Sequence, residues 1–79
     1  MSTTELERRL AAAFPGARVK VQDLTGTSDH FAATIVAEAF AGKLPLARHR
    51  MVYAALGESM KQEIHALTLT TLAPGETNA

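Results

Sequence analysis

Apolar residues along this chain switch between two spacings, and the switches restrict the fold to helices packed on a sheet. Leu6, Leu10 and Ala13 or Phe14 recur at helical intervals, with Glu5, Glu7, Arg8 and Arg9 on other faces. Arg18-Val19-Lys20-Val21-Gln22 then alternates polar and apolar, the period of a half-buried strand. A second such run spans His30 to Ala37, with Phe31, Ala33 and Ile35 on one face and Thr34 and Val36 on the other. A helix is predicted from Pro45 to about Leu56. A third strand is predicted from Ala66 to Thr71, where apolar residues alternate with threonine.

The boundaries carry their own signals. Ser2 stands at capping-box spacing before Glu5, and Thr4 with Glu7 offers a second register. Pro15-Gly16 ends the first helix. Thr25 to Asp29 is a loop by composition, short enough to make the first two strands an antiparallel hairpin. Ala41-Gly42-Lys43 reads as a turn. Pro45 suits a first helical turn, where its missing N–H costs nothing, and Gly57 is the stop. Glu58 to Gln62 reads as one further helical turn. The order is α-β-β-α-(α)-β, an α+β domain with helices on one face of a three-stranded mixed sheet. Residues 1–72 form this single domain, and residues 73–79 are expected as a mobile tail.

The chain has 79 residues and no cysteine, so one hydrophobic core must hold it without disulfides or thiolate-bound metal. Eight basic residues balance eight acidic ones, which argues against strong non-specific attraction to DNA or an anionic membrane. No apolar run approaches the ~20 residues that span a bilayer, and Met1 to Glu5 does not open like a signal peptide. A cytoplasmic protein with no membrane partner is expected. Ser28-Asp29-His30 sets three catalytic residue types side by side, but neighbours in sequence do not thereby take triad geometry. There is no glycine-rich phosphate loop of the usual spacing, and no enzymatic activity is expected. An exposed sheet edge allows a monomer or a weak homodimer.

Arg48-His49-Arg50 interrupts the apolar run Leu44 to Leu56. Successive helical residues turn by about 100°, so the three cannot share one face. His49 falls between Leu56 and Tyr53 on the wheel, with Val52 beside them, and is predicted to be buried and structural. Arg48 and Arg50 then project outward on either side. With Lys43 they form a basic patch, either a solvated face pairing with Glu38 or Glu58, or a site for an acidic partner or for phosphate.

Three pieces of sequence now line up. They are His30-Phe31 at the second strand, Phe40-x-Gly42-Lys43-x-x-Leu46-x-Arg48-His49-Arg50-x-Val52 across the turn and long helix, and Ile64-His65-Ala66-Leu67 before the last strand. With the element order, they make the chain resemble the BolA-like family from near Glu5 to near Leu72. The resemblance implies a fold related to the type II KH domain. It also implies two activities. One is a complex with a monothiol glutaredoxin and its glutathione that shares a 2Fe–2S cluster, with no cofactor in the isolated chain. The other is DNA-binding transcriptional regulation.

The resemblance makes His65 the ligand candidate, since it matches the family's His-Ala-Leu histidine. Read from the residues alone, His65 is a polar strand-start side chain that hydrogen-bonds a backbone carbonyl. His30 matches the His-Phe pair and is the second candidate, against a reading in which its ring caps the loop. Some members carry a cysteine or a longer histidine-containing loop here, and this loop is short and has no cysteine. For DNA, the Lys43, Arg48 and Arg50 patch is the motive. Zero net charge and the missing Gly-x-x-Gly loop of KH domains count against it.

Overall fold

In the computed structural model, which describes residues 2–26, 30–58, 64 and 66–76, helix α1 (Thr3–Ala13) starts on its predicted cap. The Glu5 N–H donates to Ser2 Oγ at 3.1 Å, satisfying a donor that the first helical turn leaves open. The helix stops at Phe14, ahead of Pro15-Gly16, and buries Leu6 and Leu10. Strand β1 (Arg18–Asp23) and strand β2 (His30–Val36) pair antiparallel, with Val21 opposite Ala33. The turn after β1 is held by Asp23, whose Oδ1 accepts the Gly26 N–H at 2.9 Å.

Strand β3 (Ala66–Leu72) lies parallel to β2, with His30 opposite Ala66 and Val36 opposite Leu72. The sheet order is β1-β2-β3, so the sheet is mixed as predicted. A parallel pair needs a crossover, and helix α2 (Pro45–Leu56) supplies it. Gly57 ends α2 at φ +54, a backbone state that side-chain-bearing residues rarely adopt. The further helical turn expected up to Gln62 falls on residues 59–62, outside the described residues. No helix among the described residues is long and apolar enough to cross a membrane.

One element had no clear sequence signal. Glu38–Phe40 forms a single 3-10 turn between β2 and the turn at Gly42. It drops Phe40 into the core, where its ring lies 5.2 Å from that of Phe14, tilted by 53°. The core joins Leu6 and Leu10 of α1 and its C-cap Phe14 to Phe31, Ala33 and Ile35 of β2 and to Val52 and Leu56 of α2. The opposite sheet face, with Arg18, Lys20, Gln22 and Thr68, is exposed. Along the outer side of β1, the Val21 N–H donates to Glu7 Oε1 at 3.1 Å, so a helix side chain covers part of that edge.

Phe40 is fully enclosed and the turn carrying it is only three residues long. Phe40→Ala is expected to lower unfolding free energy by about 3–5 kcal/mol in urea titrations, within the range for truncating a buried aromatic.

Candidate functional site

The basic triplet does not split as the helical wheel predicts. Arg48, not His49, faces inward: Arg48 is 7% exposed, His49 is half-buried and Arg50 is exposed. The inward stripe of α2 is Arg48, Val52 and Leu56, spaced four residues apart. Tyr53, which the wheel reading counted with the core, is 41% exposed, and that error rotated the predicted apolar arc toward His49.

Arg48 can be buried because every side of its guanidinium meets an acceptor. Nε donates to the Lys43 carbonyl at 2.8 Å, and Nη1 donates to the Thr71 carbonyl at 3.0 Å. Nη1 and Nη2 also donate to Glu76 Oε1 and Oε2 at 2.6 and 3.0 Å, a bidentate fork. The partner is therefore neither Glu38 nor Glu58. Glu76 also accepts the Ala73 N–H at 2.8 Å through Oε1. Residues 73–76, expected in a mobile tail, are folded back onto the domain by that carboxylate, and residues 77–79 lie outside the described residues.

The electrostatics follow from this geometry. The Arg48 hydrogen bonds, then the Ala73 N–H, hold the Glu76 carboxyl down at about 2, from an ordinary 4.5. The carboxylate in turn raises the pKa of the guanidinium. The Glu76 side chain is still 44% exposed, so salt partly screens the pair.

Of the predicted basic patch, Lys43 and Arg50 remain on the surface, and Arg48 is withdrawn from it. They share that surface with Leu44 at 78% exposure and Leu46 at 63%. His30 is the first residue of β2, half-buried, with its Nε2 enclosed. It stands opposite Ala66, the residue bonded to His65, while His65 itself lies outside the described residues. The His30 end and the Thr71–Glu76 end of the sheet are separated by the length of β2, about 20 Å for this many residue steps. The described candidate residues thus fall at two places. Among the described residues, no three His, Cys, Asp or Glu side chains converge as a metal site.

Comparison with known proteins gives one consistent match. The family model described as BolA-like protein covers residues 10–76. The DNA-binding transcriptional regulator BolA of Escherichia coli K12 is 35% identical over 78 residues, spanning 90% of this chain and 74% of that protein. A bolA protein homologue from Coxiella burnetii superposes with a TM-score of 0.81 at 33% identity, covering 94% of this chain and 92% of that one. BolA1 from Arabidopsis thaliana superposes with a TM-score of 0.85 at 25% identity, covering 95% and 94%. The α+β architecture is the one these structures share, of the type II KH-like kind.

The Glu76 pairing predicts a pH dependence whose sign is fixed. A carboxyl with a depressed folded pKa stabilises above its unfolded value near 4.5, and the contribution is lost as pH falls toward about 2. Glu76→Gln should lower Tm at neutral pH and flatten the wild-type decline across that acid range. Thermal melts as a function of pH would show it, and parallel wild-type and variant curves would remove the ion pair from the account.

Proposed function

Because this chain belongs to the BolA-like family, we propose that it is a non-enzymatic adaptor in iron–sulfur metabolism. It binds a monothiol glutaredoxin and supplies His65 to a shared 2Fe–2S cluster. The observation that carries this reading is the register of β2 and β3: His30 stands opposite Ala66, and His65 is the next residue back along the chain. His30 begins β2, and His65 comes just before β3 in the sequence. His30 ranks second as a ligand, because its enclosed Nε2 would have to turn outward first.

The donor chemistry fits a shared cluster and not an autonomous one. The sequence has no cysteine, and such clusters are held by four ligands, mostly thiolates. This chain can contribute nitrogen donors, while the partner brings its cysteine and the glutathione thiol. A neutral imidazole is a competent iron ligand, and its protonation makes such a bond sensitive to mildly acidic pH. The cluster, when bound, supplies one-electron redox chemistry. The protein's part is to supply the imidazole donor.

A second reading is DNA-binding regulation. It is favoured by the similarity to the DNA-binding transcriptional regulator BolA of Escherichia coli and by the exposed Lys43 and Arg50. With Arg48 turned inward, two cations remain of the three, so any such binding should be weak and only shallowly dependent on salt.

Mixing the protein with a cluster-loaded monothiol glutaredoxin should change the visible circular dichroism of the cluster, and His65→Ala should abolish or alter that change. An unchanged spectrum on mixing, or an identical change with the variant, contradicts the ligand assignment.

A further inference from the structure

The two outer strands of the sheet are protected unequally. On β1, Glu7 covers the Val21 N–H, and Arg18, Lys20 and Asp23 spread charge along the strand. On β3, the cover given by the described residues is confined to one end, where Arg48 takes the Thr71 carbonyl and the Ala73–Glu76 turn folds in beside it. No residue from Ala66 to Ala73 is charged.

The backbone pattern identifies what is left open. The Ala37 N–H donates to the Leu72 carbonyl, so even-numbered residues of β3 turn their peptide groups toward β2. Leu67 and Leu69 therefore turn theirs to the outer edge, and among the described residues no hydrogen bond reaches those groups. An edge of this kind pairs with another strand unless charge, proline, a bulge or a covering segment prevents it.

We propose that β3 pairs with β3 of a second copy of this chain, antiparallel about a twofold axis through Thr68. In that register Leu67 lies opposite Leu69 of the second copy, and each such pair exchanges both N–H···O=C bonds. Thr68, exposed on the open sheet face, meets its own counterpart on the axis. Leucine faces leucine on the core side, and no like charges are brought together. The Thr71 carbonyl is not needed, so Arg48 keeps it. Self-pairing fits this edge better than capture of a foreign peptide. Selective strand addition relies on pockets for alternate side chains. Two clefts among the described residues lie elsewhere, beside Gly16, Val36 and Pro74.

The paired segment is short, so the dissociation constant should be weak, on the order of 0.1–1 mM. Sedimentation equilibrium from about 0.02 to about 2 mM should show wild type passing from monomer to dimer. Thr68→Lys and Thr68→Glu, each checked for native far-UV circular dichroism, should stay monomeric, because like charges would meet on the axis. An equimolar mixture of the two variants should recover association through a Lys–Glu pair. A wild type that stays monomeric overturns the proposal. So do charged variants that associate as wild type does, or a mixture that associates no better than its components.

Discussion

The buried guanidinium of Arg48 ties together more of this structure than any other side chain among the described residues. It joins α2 to the carbonyl that precedes the helix, to the outer edge of β3, and to the carboxylate of Glu76. A charge in that position is tolerable only because all three directions of the planar fork meet acceptors. Val52 and Leu56 continue the same stripe into the core, so the orientation of α2 against the sheet and the fold-back of residues 73–76 depend on one another. The arrangement also leaves Lys43, Leu44, Leu46 and Arg50 on the surface around the start of the helix.

Most of the fold was legible because its signals are local. The capping serine, the alternating strands, the proline at the start of α2 and the glycine at its end each act within a few residues, and each element appears near its expected bounds. The mixed sheet followed from the short first connection and the helix in the second. The 3-10 turn at Glu38–Phe40 was missed, since a single turn leaves no periodicity to read. Its position is set by where Phe40 can reach Phe14.

The error on the triplet has a different cause. A helical wheel ranks faces by apolar content, and Tyr53 and His49 weighted the wrong side of α2. What makes an inward arginine acceptable is a carbonyl and a carboxylate that follow it by 23 and 28 residues. No local pattern announces them. Arg48 is also a reminder that a residue can mark a family through its structural work. The motif pointed to the right fold, while the helical wheel turned its most distinctive side chain the wrong way. The proposed ligands lie elsewhere in the chain: His30 begins β2, and His65 comes just before β3 in the sequence.

That placement leads to the central claim, that an imidazole of this chain binds iron in a cluster otherwise held by a partner. The most direct measurement is pulsed EPR on the reduced cluster, formed with a monothiol glutaredoxin and with this protein labelled in its histidine ring nitrogens. The account predicts a nitrogen hyperfine coupling of the size of a directly bound imidazole, changed by the label and absent with His65→Ala. A spectrum with no such coupling, or a coupling that survives unchanged in the variant, would contradict it.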